Sequence, residues 1–225
     1  VWSLVLERVP RTAVLAATAL LLAILVGVTC GVLAGVCRGT WVDRSLSFFS
    51  LAGISAPVFW IGLLLVWLVS LQLRLLPPAG YEAGNLRYLI LPAVALALRS
   101  IALITRITRA SIVEINASDF LRTAKAKGLG PWAVQGKHAL RNAALPIITV
   151  VGLDLGSYLS GSVLTEKVFG WPGIGRLTVE AILARDTALI NACVVFMAVV
   201  FILVNLGVDL LYGVLDPRIR EGHGR

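Results

Sequence analysis

Long apolar runs alternate with short polar breaks along this chain, and five of the runs are long enough to cross a bilayer, at about 20 residues per crossing. They cover residues 12–36, 46–71, 89–109, 145–164 and 188–214. The pattern predicts an all-α, polytopic membrane bundle making a single domain over residues 1–225. Residues 1–11 are amphipathic and too short to span. Trp2, Val5, Leu6 and Val9 share one helical face there, which predicts an interfacial helix.

Small residues and prolines subdivide the runs. Gly27, Gly31 and Gly35 form a stripe on one face of the first, which permits close helix packing and implies no chemistry. Gly53-Ile-Ser55-Ala-Pro57 breaks the second near its first third, because proline frees a carbonyl that must find another donor. Ser55 does not read as a nucleophile: no Gly-x-Ser-x-Gly elbow and no intramembrane His or Lys accompanies it. The fourth run carries Asp154 with the small residues Gly152, Gly156 and Ser160.

The polar breaks differ in character. Residues 74–88 are rich in turn formers, and residues 165–186 form an excursion whose Gly170-Trp171-Pro172-Gly173-Ile-Gly175 cannot continue a helix. Helical spacing resumes at Leu177 to Ala184. The longest polar run is 114–146. In it Ser118 can cap a short helix with Asp119 in its first turn and Lys125 and Lys127 in its last. Gly128 is placed for a left-handed closing position, and Pro131 suits the first position of a second helix. Two short helices rich in Ala and Gly make a knob that another protein's groove could hold.

Composition agrees with the pattern. Of 225 residues, 58% are hydrophobic and 14% charged, against roughly 25% charged in a soluble domain. The net charge of +8 comes from basic residues interleaved with apolar runs, which argues against a nucleic-acid partner. Twelve basic residues fall on the side of the 114–146 segment and seven on the other, so that segment is cytoplasmic, the N-terminus outside and the C-terminus inside. Cys30, Cys37 and Cys193 are isolated, giving neither a disulfide framework nor a zinc site. Arg99 and Asp154 lie inside the third and fourth runs at similar depth. Three readings stand: they pair, Arg99 snorkels to the headgroups, or Arg99 faces a pore.

Arg122-Thr123-Ala124, Gly128, Arg141-Asn142 and Pro146 together resemble the "EAA loop" of ABC-importer permeases, in the dipeptide, oligopeptide and nickel branch. Arg122 stands for the general Glu and Thr123 for the first Ala, and Pro146 lies further from Gly128 than in the general pattern; these departures suit that branch. The Gly53-Ile-Ser-x-Pro-x-Phe-Trp60 run, Glu166-x-Val-Phe-x-Trp-Pro-Gly-x-Gly175 and the closing Leu215-Asp-Pro-Arg-x-Arg220 are similar to the same family.

The resemblance implies a type I ABC-importer permease fold in a bacterial inner membrane. It implies that the chain forms half of a pathway for short peptides with a homologous second permease subunit. Arg122, Thr123, Ala124, Lys125, Ala126, Lys127, Gly128, Arg141 and Asn142 would couple it to two ATPase subunits, which use the ATP and Mg. An extracytoplasmic binding protein would deliver substrate. Phe169, Trp171, Pro172 and Gly173 would form an external gate or a contact for that protein, with an aromatic interface anchor as the plainer reading. The chain has no nucleotide-binding loop and no catalytic constellation, so no catalysis and no bound cofactor are expected. The branch usually has one more N-terminal span and an external domain. This sequence begins with Val and shows no signal peptide, so a trimmed chain is expected. A nickel permease of the branch is the nearest alternative, although His138 and His223 lie outside the apolar runs. A secondary transporter coupled through Arg99, Asp154 and Asp209, or a non-transporting remnant, would be further ones.

Overall fold

The computed structural model describes residues 1–116, 140–159 and 162–215, and among them every regular element is a helix. In chain order these are α1 (Trp2–Val36), α2 (Trp41–Ser55), α3 (Val58–Leu65) running into a π-helical stretch (Val66–Gln72), α4 (Arg87–Asn116), α5 (Leu140–Leu159), α6 (Val163–Val168), α7 (Ile174–Leu183) and α8 (Thr187–Leu215). By length and apolar character α1, α4 and residues 187–210 of α8 can each cross a membrane alone, and α2 with α3 makes a fourth crossing if taken as one broken span. The apolar part of α5, Pro146–Leu159, is shorter than a full crossing. Of these helices α4 is the most enclosed, with 61% of its apolar window buried against 11% for α8.

Two boundaries depart from the sequence reading, and the break it predicts at Pro57 is present. Residues 1–11 are not a separate interfacial helix; they are the start of α1, which runs unbroken through Pro10. The lost proline N–H removes one bond, and Val5, fully buried against Leu177, Ala181, Leu189 and Cys193, holds the stretch in place. The second run is two helices, because Pro57 has an extended backbone with ψ 133 and no N–H to continue the ladder from α2. In the fourth run helix is described through Leu159, Ser162 is not helical, and Val163 to Val168 form a helix of their own.

The chain divides into two compact units, to both of which α1, α4, α5 and α8 contribute. One comprises residues 1–22, 56–99 and 152–207. Its apolar clusters are the Val5 group and a second around Leu91, Ala95 and Phe169, onto which Leu65, Val66 and Val69 pack. Gly62 admits the Phe169 ring, whose Cε2 would stand 3.2 Å from a Cβ at that position.

The other unit comprises residues 23–55, 100–151 and 208–225. Here the glycine stripe does what its spacing predicts. A Cβ on Gly27 would lie 2.9 Å from Ile104, one on Gly31 2.5 Å from Thr108 Cβ, and one on Gly35 2.6 Å from Ile112. Each step of four along α1 meets a step of four along α4 in the same sense, so the two helices run parallel at backbone contact. Thr105 Oγ1 donates to the Gly27 carbonyl across that contact at 3.2 Å. Between lipid-embedded helices there is no water to expel, so such packing and hydrogen bonding are what hold them together.

Gly31→Leu should therefore force α1 off α4 and cost about 1–3 kcal/mol or more. Gly207→Leu, in the same class of helix but with nothing within 4 Å of its Cβ position, should be close to neutral. Thermal unfolding of the two variants in detergent checks the contrast.

Candidate functional site

The excursion between α5 and α8 is built around a carboxylate. Glu166, on the short helix α6, is fully buried. Burial disfavours its charge, and the surroundings answer with donors. Thr12 Oγ1 of α1 donates to Oε1 at 3.0 Å and the Arg176 N–H donates to Oε2 at 3.0 Å. The Gly175 N–H is a third donor. Burial pushes the carboxyl above the usual carboxylate range, against the pull of the Arg176 N–H, the Thr12 hydroxyl and the Gly175 N–H. The Thr12 hydroxyl also accepts from the Ile174 N–H at 2.9 Å.

Three first-turn amides of α7 are thus satisfied from outside their own helix. The N-cap residue Gly173 contributes no side-chain bond, so α1 and α6 supply the cap that an isolated helix would lack. This also explains Gly173 and Gly175. A Cβ on Gly173 would run into the Glu166 carboxylate, and one on Gly175 would come 2.7 Å from the Val163 backbone.

The sequence-predicted gate residues surround this knot. Phe169 and Trp171 are only 2% and 3% exposed, so their side chains are packed inside the chain rather than offered to a partner or to lipid headgroups. Trp171 Nε1 donates to the Arg11 carbonyl at 3.0 Å, and its ring meets Tyr81 edge to face at 5.1 Å between centroids. The Arg11 guanidinium stands 5.3 Å from the Tyr81 ring centre. Gly80 N–H donates to the Phe169 carbonyl at 2.8 Å. Gly170, at φ +63, turns the chain after α6, and Arg176 Nη1 donates to its carbonyl at 2.6 Å. Residues 1–12, 80–81 and 166–176, assigned to one side by charge, meet one another here.

In the other unit the segments assigned to the opposite side are joined by an ion pair. Arg109 of α4 grips Asp43 of α2 with both arms of its fork, Nε to Oδ1 at 2.5 Å and Nη2 to Oδ2 at 2.9 Å. Gly39 N–H and Ser47 Oγ complete the shell at 2.9 and 3.3 Å. Asp43 is 4% exposed and stands in the first turn of its helix, where negative charge is favoured. The pair fixes the end of α4 just before the 114–146 segment.

Most of that segment's predicted coupling residues, Arg122, Thr123, Ala124, Lys125, Ala126, Lys127 and Gly128, lie outside the described residues. Arg141 and Asn142 fall in the first turn of α5. Arg99 and Asp154 do not form an ion pair among the described residues. Asp154 is half-buried with interactions of its own, whereas Arg99 is exposed and lines a cavity of about 300 Å³ with Val58, Leu96, Ser157, Tyr158 and Ser162. No group of three His, Cys, Asp or Glu side chains that could hold a metal occurs among the described residues.

Sequence reasoning missed the roles of Thr12, Glu166, Asp43 and Tyr81. For Glu166 a signal existed, since it opens the Glu-x-Val-Phe-x-Trp-Pro-Gly-x-Gly run. For the Asp43–Arg109 pair the only hint was an acid within a basic break.

Comparison with known proteins adds the following. Residues 27–221 match the pattern of the binding-protein-dependent transport system inner membrane component. The chain is 45% identical to the probable peptide ABC transporter permease protein y4tP of Sinorhizobium fredii, across 98% of this chain and 72% of that one. It is 42% identical to the dipeptide transport system permease protein DppB of Haemophilus influenzae, across 94% and 71%, and 40% identical to DppB of Escherichia coli K12, across 98% and 74%. Among solved structures it is similar to the MetNI methionine ABC transporter in an inward-facing conformation, with a TM-score of 0.79 over 96% of this chain and 97% of that one at 17% identity. At that identity the likeness is one of fold.

Two substitution experiments test the geometry. Arg109→Leu leaves a carboxylate buried and should cost about 3 kcal/mol. Asp43→Leu strands only a partly exposed guanidinium and should cost less, and the double variant should cost less than the two losses added, as read by denaturant titration. Glu166→Ala should cost about 1–3 kcal/mol for each buried donor left unpaired. Because the folded carboxyl has the higher pKa, the folded chain binds more protons than the unfolded one between the ordinary and the raised value. Stability therefore falls as pH rises through that window and is level above it. The difference in melting temperature between wild type and Glu166→Ala, followed against pH, should show that fall.

Proposed function

Because the chain belongs to the family of binding-protein-dependent transport system inner membrane components, we propose that it is a permease subunit of an ATP-driven importer that takes short peptides across the inner membrane. The observation that carries the substrate class is the 40–45% identity, over 94–98% of this chain, to permeases named for peptide or dipeptide transport. Nickel import has no comparable support, and no cluster of metal-binding side chains among the described residues argues for it.

In this reading the chain catalyses nothing and holds no cofactor; ATP and Mg belong to two ATPase subunits. A homologous second permease subunit supplies the other half of the pathway, and an extracytoplasmic binding protein delivers the peptide. Force enters through Arg122 to Gly128 together with Arg141 and Asn142. It reaches the spans through α4, whose end is held by Asp43, and through the start of α5. Rocking of helices between two packed arrangements then exposes the pathway alternately to the two sides. Such motion needs elements stiff enough to be moved as bodies, and the parallel α1–α4 contact is of that kind.

The test is uptake of labelled dipeptides into vesicles containing the whole complex. Uptake should require both binding protein and ATP, and nickel uptake should stay at background. Gly128→Asp, at the position that the sequence marks for a left-handed closing glycine, should insert and assemble normally. It should abolish binding-protein-stimulated ATP hydrolysis; undiminished uptake in that variant would remove the coupling role of the segment.

A further inference from the structure

Arg99 is the unusual residue of the apolar core. It lies in mid-helix on α4, in a stretch where Leu96, Ala97 and Ser100 are all buried, yet its own side chain is exposed. A guanidinium at that depth cannot rest against hydrocarbon cheaply, and such residues face a bundle interior or a water-filled path. Neither Asp154 nor any other described acid pairs with it.

The cavity it lines has the make-up of a small-ligand site. Its volume of about 300 Å³ is at the lower end of the roughly 300–1,000 Å³ that such sites occupy. Val58 and Leu96 give it apolar walls, and Ser157, Tyr158 and Ser162 complete the lining. The Tyr158 hydroxyl is committed to donating to the Leu96 carbonyl at 3.0 Å. Ser162 Oγ is buried away from the cavity space, with no hydrogen-bond partner among the described residues. The exposed Arg99 guanidinium is the group that can take up an anion here, and a carboxylate fits its fork with two parallel bonds.

We propose that the Arg99 cavity is a transit site for the transported peptide, in which Arg99 receives the peptide's terminal carboxylate midway across the membrane. The proposal rests on the peptide-importer reading above. It gives the permease its own substrate contact, separate from recognition by the binding protein. It also gives a reason for tolerating an exposed charge on a spanning helix.

The experiment uses the complete complex in vesicles, with Cys30, Cys37 and Cys193 replaced by Ser and Arg99→Cys introduced. Uptake of a panel of labelled dipeptides should fall about tenfold or more, as expected for loss of a charge-assisted contact, while the subunits still co-purify. A cationic methanethiosulfonate ammonium reagent should then restore at least half of the parent's uptake, and the anionic sulfonate reagent should not. Arg99→Lys should retain more uptake than Arg99→Leu. Full uptake by the Cys variant, no reaction with either reagent, or equal effects of both would overturn the proposal. Loss of subunit co-purification that the cationic reagent repairs would overturn it too, by making Arg99 a contact to the second permease subunit. Absence of dipeptide uptake by the cysteine-free parent would instead sink the peptide-importer reading itself.

Discussion

A carboxylate sealed from water must be surrounded by donors, and the placement of Glu166 imposes that demand on three parts of the chain at once. The donors come from α7 and from Thr12 of α1, so the N-terminal stretch and the excursion after α5 have to meet. The carboxylate and the α6 backbone occupy the space where side chains on residues 173 and 175 would go, hence two glycines. Trp171 is then carried under Tyr81, with its indole N–H on the Arg11 carbonyl. A polar group that is costly to bury has become the reason why the surrounding apolar residues have one arrangement. The unit containing the cavity beside Arg99 is organised by the same segments.

The other unit depends on closeness rather than charge. Gly27, Gly31 and Gly35 let α1 and α4 approach until backbone meets side chain, and a single ion pair, Asp43 with Arg109, ties α2 to the far part of α4. Neither device needs a hydrophobic driving force, which suits helices whose alternative surroundings are lipid. Together they give α4 firm support ahead of the polar segment that follows it.

Local features of this fold were readable from sequence because they depend on neighbours along the chain. Pro57 breaks a helix wherever it stands in one, and glycines four apart make a groove on any helix. The family itself was legible from short motifs spread along the chain. What needed the structure was long-range. Thr12 and Glu166 are 154 positions apart, and Asp43 and Arg109 are 66 apart. No periodicity links such pairs. Gly173 and Gly175 read as helix breakers, yet they are small because a carboxylate and a backbone occupy the adjoining space. Residues 1–11 read as a separate interfacial helix, yet α1 runs on through Pro10 with Val5 anchored in the core. Phe169 and Trp171 read as surface aromatics because their motif sits in a polar break, and their burial follows from the Glu166 knot.

The sense in which the glycine stripe meets α4 carries a counting argument. Two neighbouring spans that run parallel cannot be successive crossings, since a chain leaving one face must first come back. Between Gly35 and Arg87 the polypeptide therefore has to traverse the membrane an odd number of times, and the only apolar material available is α2, α3 and the π-helical stretch that follows. Broken at Pro57 or not, that pair of helices must act as one return passage. The parity of that stretch is thus set by three missing side chains.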